Sequence, residues 1–410
     1  MLLKNEASNK TKIIVLLEIF WTGHHPTYFK YFLKTLLECG FQVMAFCPAP
    51  EEVNDWLADY FKNIEPMCQV HEYDNPGLRQ LPSGRIQSIT LTLKRWQTAA
   101  KVIKNTIGSI DKTKINVIFP YLDSYLDKHL SKYYIDRIFP YDWTGLYFAP
   151  SHFYKAQNRL LSSLNLLQPD SLLKSHHCTS VGILDEGVKE KLQSRIINKP
   201  IVVLPDFIDA SLPDRNYKIS RNLKERAGNR NIIGLFGHLD KRKGFSTLID
   251  AAKKTCSDNY FYIFAGPLCR SSFTEIELAE IDTFVQSEPS NCLFHFEFIP
   301  DEASFNALIE ACDVIFAAYE NFPYSSNLLT KAAYFKKPVI VSNGYCMAQR
   351  VRDYQLGIVI NAGDVSACID AVQQLSTESA ALNCDFDGYM NCHSVARLED
   401  SLTSLLNMGI

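Results

Sequence analysis

The stretch LFGHLDKRKGFSTLIDA, Leu235 to Ala251, decides how the chain folds. Its apolar start reads as a buried strand and Gly237 as a turn. Lys241, Arg242 and Lys243 then form a basic corner, with Gly244 opening an amphipathic helix. A strand that turns straight into a helix is half of a βαβ unit, and the same alternation continues downstream. Strand-like runs are expected at 231–237, 260–266, 292–298, 314–318, 338–342 and 357–360. Helical stretches fall between them, most clearly at 245–254, 301–312, 326–335 and 365–375. Strands alternating with helices predict a parallel, doubly wound sheet whose ligands bind beyond the carboxyl ends of the strands.

Upstream, the apolar run at 12–20 is followed by Gly23 and a helix, PTYFKYFLKTLLECG, then by the strand QVMAFCP. The segment 49–84 mixes a helix, a short strand near Val70 and turn residues; 87–106 is helical in pattern, and INVIFP and TGLYFAP read as strands. Pro and Asp cluster in LPDFIDASLPDRN, which predicts a domain boundary there. The expected organisation is α/β: an N-terminal domain over 1–208, a second over 209–385, and a C-terminal helix in 386–410 that crosses back to the first.

Composition narrows the function classes. With 410 residues, 47% hydrophobic and 21% charged, the chain reads as a globular protein of two domains. A net charge of -3 argues against a protein that coats nucleic acid, so any anion site is local. The 12 cysteines are scattered without C-x-x-C or metal-ligand spacing, as expected of reduced thiols in the cytoplasm. IIVLLEIF is too short to span a bilayer and carries Glu18. The basic stretch LKRWQTAAKVIK reads as a solvated helix face, with peripheral contact to an anionic membrane as the alternative.

Two corners carry candidate chemistry. The turn after the strand at 231–237 leads into a helix whose first N–H groups are unpaired, which makes it an anion site with Lys243 aimed at a phosphate. Lys243 is expected to be exposed there and engaged only with the anion. In YENFPYSSNLLTKAAY, Ser325, Ser326 and Asn327 are cap residues of the next helix, and Glu320 and Asn321 can take sugar or ribose hydroxyls. His24 with His25, and His176 with His177, are adjacent in sequence and make poor metal pairs. Asp385–Asp387 (DFD) has the spacing of metal-binding carboxylates but reads as a helix start.

The stretches GHLDKRKGFSTLIDAAKK and YENFPYSSNLLTKAAYFKKPVIVSNGYCMAQRVRDYQLGIVI resemble the donor-binding half of glycosyltransferase family 4. GHHPTYFKYFLKTLLECGFQV is similar to that family's first βα unit, and ILDEGVKEKLQSRIINKPIVVLPDFID to its interdomain strand. The resemblance implies two facing Rossmann-like domains, the GT-B architecture, with the active site in the cleft between them. It implies transfer of a sugar from a nucleotide diphosphate sugar to a hydroxyl acceptor with anomeric retention, without metal or cofactor. The implied donor-binding residues are Gly23, Gly237, His238, Arg242, Lys243, Phe298, Ile299, Ser325, Ser326, Asn327 and Leu328. Lys243, Glu320 and His152 are the implied catalytic residues. His238 stands where the family has an arginine, and the family's two glutamates fall on Pro323 and Lys331, which leaves Glu320 to take a hydroxyl contact. A non-catalytic subunit of the same architecture and a nucleotide-sugar epimerase are the alternative readings.

Overall fold

The computed structural model describes residues 12–61, 67–80, 82–154, 169–255, 259–376 and 383–407. The chain divides into two units: one takes the residues up to Pro205 and those from Val395 on, the other Asp206–Ser394.

The first unit is built on β1 (Ile13–Leu17), β2 (Gln42–Cys47), β3 (Cys68–Glu72), β4 (Ile115–Phe119), β5 (Asp142–Tyr147), β6 (Val181–Ile183) and β7 (Ile201–Val203). All pair parallel, in the order β3-β2-β1-β4-β5-β6-β7. β1 and β4 are buried along their whole length, as central strands of a sheet covered on both faces must be. An aromatic core of Trp96, Phe119, Tyr125, Phe139 and Trp143 packs behind it.

The long helix Arg85–Ile107 includes the basic stretch of residues 93–104, and its basic residues do not form one face. Arg95 turns inward, donating to the carbonyls of Leu78 and Ser124 at 2.7–2.9 Å. Among the described residues no helix is long and apolar enough to cross a membrane.

The second unit holds β8 (Asn231–Phe236), β9 (Tyr260–Ala265), β10 (Cys292–His295), β11 (Val314–Ala317), β12 (Val339–Ser342) and β13 (Gly357–Ile360). They form a parallel sheet in the order β10-β9-β8-β11-β12-β13. Alternation along β8 feeds two cores: Ile232 and Phe236 enter one, Ile233 and Leu235 the other. Gly234 has no room for a side chain, since a Cβ there would lie 2.3 Å from the Phe236 ring and 2.7 Å from the Cys312 sulfur.

The C-terminal segment divides later than expected. Helix Phe386–His393 stays with the second unit, where Phe386 and Tyr389 enter its core and the Tyr389 hydroxyl meets Thr330 at 2.9 Å. Asp385, first of the DFD stretch, caps that helix by accepting from the Gly388 N–H at 2.9 Å. Only helix Ala396–Asn407 belongs to the first unit, burying Leu398, Leu402 and Leu405, with the Leu405 carbonyl accepting from Ser180 at 2.6 Å. The expected boundary after residue 385 misses Tyr389 because the apolar face of so short a helix does not say which core it enters.

Candidate active site

In the second sheet the strand order reverses between β8 and β11, so the loops leaving these neighbouring strands open side by side. These are the two corners singled out in the sequence, and the fold brings them into contact.

The basic corner is shaped by backbone constraints. Gly237 leaves β8 with φ 86°, a left-handed conformation that favours glycine. Asp240 accepts from the Lys243 N–H at 2.9 Å and so caps a single 3-10 turn, Lys241–Lys243. Gly244, at φ 71°, then swings the chain into helix Phe245–Lys254. A Cβ on Gly244 would lie 2.6 Å from the carbonyl oxygen of Ala318, in the loop after β11. The two loops are tied further by the Glu320 N–H, which donates to the Arg242 carbonyl at 2.7 Å.

The three cations differ in what they touch. Lys241 pairs with Glu277, away from the corner's interior. Arg242 reaches Asp240 at 3.1 Å and lies 4.8 Å from the centre of the Phe322 ring. Lys243, expected to be exposed, is half-buried. Its Nζ donates to the Phe236 carbonyl at 2.6 Å and sits 5.5 Å from the centre of the Tyr319 ring. Burial, with the charge of Arg242 beside it, pulls the Lys243 ammonium down to about 8. This cation is held in an apolar setting with little counter-charge, so an incoming anion gains more from it than from a solvated lysine.

Across the junction, Tyr319 is buried, with the Ser326 side chain near its hydroxyl. Ser326 holds the cap position of helix Asn327–Tyr334 without bonding to that helix's first N–H groups. Ser325 is buried elsewhere: its hydroxyl donates to Asp206, and Arg350 reaches both Ser325 (2.6 Å) and Asp206 (3.3 Å). His393 accepts from the Asp206 N–H at 3.2 Å, and burial beside Arg350 pushes its imidazole down to about 2, so it is neutral. The Ser325 side chain is thus part of the scaffold behind the corner. Glu320 is half-buried and Asn321 exposed, the latter at φ 49°, a conformation asparagine tolerates.

Beside the basic corner a cavity of roughly 310 Å³ opens at the same sheet edge. It is lined by Gly237, His238, Gly266, Pro267, Phe298, Ile299, Pro300, Asp301, Glu302 and Phe305. Gly266, at φ 125°, is required here, since a Cβ would strike the Gly237 carbonyl oxygen at 2.2 Å. The sequence reading included Gly237, His238, Phe298 and Ile299 but missed Gly266, Pro267, Glu302 and Phe305. A Gly-Pro pair closing the β9 run was the signal available for the first two. Lys331, where the resemblance places a glutamate, is buried and donates to Glu302 and Asn306, each at 2.7 Å.

In the first unit, the order reverses between β1 and β4. Gly23 lies exposed just beyond β1 at φ 62°, and His25 begins helix His25–Glu38. His25 stacks on Tyr121 with ring centres 3.8 Å apart, and its Nδ1 is 3.1 Å from buried Glu18. Asp123, after β4, accepts from the Phe148 and Ala149 N–H groups at 2.7 and 2.8 Å, and burial still raises it to about 6. Sequence reasoning passed over this cluster, because Glu18 and Asp123 carry no motif of their own.

His152 is drawn elsewhere. Its Nδ1 lies 3.1 Å from the Tyr147 hydroxyl and its Nε2 3.6 Å from Asp170, which also binds Arg195 at 3.0 Å. Burial works against the Asp170 charge, yet His152 and Arg195 hold its carboxyl below the usual range.

Two parallel six- and seven-stranded sheets flanked by helices, each with a reversal of strand order, define the two-domain GT-B class. Residues 217–386, within the second unit, match the family model of glycosyl transferases group 1. Its fold is similar to that of Anabaena HepE in complex with UDP and glucose, at TM-score 0.63, 14% identity, and 97% and 99% coverage of the two chains. Sucrose-phosphate synthase from Thermosynechococcus elongatus is similar at TM-score 0.66, with 15% identity over 97% of this chain and 98% of that one. A glycosyltransferase from Rickettsia africae is similar at 0.64, with 14% identity over 98% and 99%. No curated protein sequence matches the chain.

Proposed function

We propose that the chain moves a sugar from a nucleoside diphosphate sugar to a hydroxyl acceptor with retention at the anomeric carbon, and needs neither metal nor cofactor. The observation that carries the reading is the junction of Arg242, Lys243 and Glu320 at the switch point beside the cavity. The cavity takes the nucleoside and the basic corner the diphosphate, joined by His238, Ser326 and the first N–H groups of the helix at Asn327 and Leu328. UDP is the first nucleotide to test, since the similar HepE holds UDP and glucose.

In this reading the bond between the sugar's anomeric carbon and the phosphate oxygen breaks. The acceptor oxygen forms its bond on the same face, and its proton passes to the departing phosphate. Charge builds on the diphosphate as that bond breaks, where Lys243 and Arg242 stabilise it. Glu320 accepts hydrogen bonds from sugar hydroxyls and orients the ring. His152, tied to Asp170 and Tyr147, acts at most by positioning the segment it sits in.

Incubation of the protein with radiolabelled UDP-sugars, a chelator and a panel of hydroxyl acceptors tests this. The expected result is a retained glycoside, read by NMR, and its sharp loss in Glu320→Gln. An inverted product, or activity only after divalent metal is restored, contradicts the mechanism. Release of an epimerised sugar without acceptor selects the isomerase instead.

A further inference from the structure

Lys331 and Glu302 form an unequal pair. The Lys331 side chain is 7% exposed, whereas that of Glu302 is 44% exposed, and 2.7 Å separates Nζ from Oε2. The lysine is pinned on a second side by the Asn306 Oδ1 at 2.7 Å, and lies 5.4 Å from the centre of the Phe305 ring. Asn306 is itself oriented, since its amide donates to the carbonyls of Asp209 (3.3 Å) and Ser211 (2.8 Å). Lys331 is thus committed to the scaffold. Glu302 opens helix Glu302–Ala311, one residue after the cap Asp301, and is one of the residues lining the cavity.

Of the other lining residues Asp301 also carries a carboxylate, and its Oδ1 already accepts from the Ser304 N–H at 2.7 Å as the helix cap. Pro267, Phe298, Ile299 and Phe305 offer apolar surface suited to a flat ring. A pentose beside that ring carries hydroxyls that must find partners once desolvated. A carboxylate with one oxygen fixed by a buried ammonium presents its other oxygen in a set direction and can accept from two hydroxyls. The lysine also offsets the repulsion that a bare carboxylate would exert on a diphosphate bound at Lys243.

We propose that Glu302, held by Lys331, reads the vicinal hydroxyls of the donor's ribose and makes this cavity selective for ribonucleotides over 2′-deoxyribonucleotides. The assignment rests on the donor-site reading above and names a residue that reading leaves open.

Calorimetric titration of UDP and 2′-deoxy-UDP, and of GDP and 2′-deoxy-GDP, into the full chain with chelator present tests it. The wild type should prefer the ribose form by about tenfold or more, in line with a site built to bond a hydroxyl. Glu302→Gln should bring the ratio to within about twofold by weakening the ribose form alone, the signature of one lost hydroxyl contact. Glu302→Asp keeps a carboxylate but shortens its reach, should give an intermediate ratio, and serves if the glutamine variant does not fold. Equal binding of ribose and deoxyribose forms by the wild type, or an unchanged ratio in the variants, overturns the assignment while the donor site stands. Failure of the wild type to bind any of the four overturns the donor-site reading and the assignment with it.

Discussion

The Glu320 N–H donates to the Arg242 carbonyl at 2.7 Å, joining two loops that leave adjacent strands 78 residues apart in sequence (320 − 242). A cationic turn and a carboxylate-bearing loop are thereby held as one rigid corner, with Gly244 packed beneath the Ala318 carbonyl where they cross. Anion and sugar contacts that must act together are fixed relative to one another by backbone, before any ligand arrives.

That junction leaves no room at Gly244. A side chain there adopts φ 71° at a cost of about 1–2 kcal/mol from the left-handed backbone alone. It also meets the Ala318 oxygen at 2.6 Å, so the loops must part. Gly244→Ala should lower the melting temperature and weaken nucleotide binding together. A variant with normal affinity for UDP and a normal melting temperature contradicts the coupling of the two corners.

Lys243 predicts a pH dependence whose sign follows from its depressed value. In the folded protein its ammonium loses its proton near pH 8, whereas an unfolded lysine holds it to about 10.5. Between these values the unfolded chain binds more protons, so this group's contribution to stability rises with pH across that window. Diphosphate binding favours the charged form, so UDP affinity should fall as pH climbs above about 8, with proton uptake on binding. Calorimetry in buffers of different ionisation enthalpy reads that uptake, and Lys243→Arg should abolish it. Constant affinity from pH 7 to 9.5 contradicts the assignment.

The buried cluster behind the corner predicts a scaffold effect. Asp206 and Arg350 are each at most 2% exposed, and Ser325 links them. Arg350→Met removes the buried cation facing Asp206 and should cost about 3–5 kcal/mol in chemical denaturation. A loss below 1 kcal/mol would mean that the cluster is not what fixes the start of helix Asn327–Tyr334.

How far the sequence could be read depends on the range of the interaction. The corner at Gly237, Lys243 and Gly244 was legible because strand, turn and helix follow one another locally and their residue types permit little else. The doubly wound sheets followed from the same alternation. Ser325 reads as a cap, but its partners Asp206 and Arg350 come from distant elements. His152 is named through the resemblance alone, and its partners Asp170 and Tyr147 appear only in the packed structure. Lys331 reads as a lost carboxylate until the fold sets it against Glu302. Pairings of this kind have no period or spacing, so only the packed structure reveals them.

The most direct test of the donor corner is the affinity of Lys243→Ala for UDP, compared with wild type by calorimetry in the presence of a chelator. The wild type should bind without metal, and the variant should lose roughly 1.5–3 kcal/mol, the range of a hydrogen bond to a charged group. Its melting temperature should change little, because the side chain donates to one carbonyl at the end of β8 and otherwise lies over the Tyr319 ring at 5.5 Å. Metal-free binding that is equal in the two proteins, or no binding by the wild type, would contradict the claim that this corner holds the donor's diphosphate.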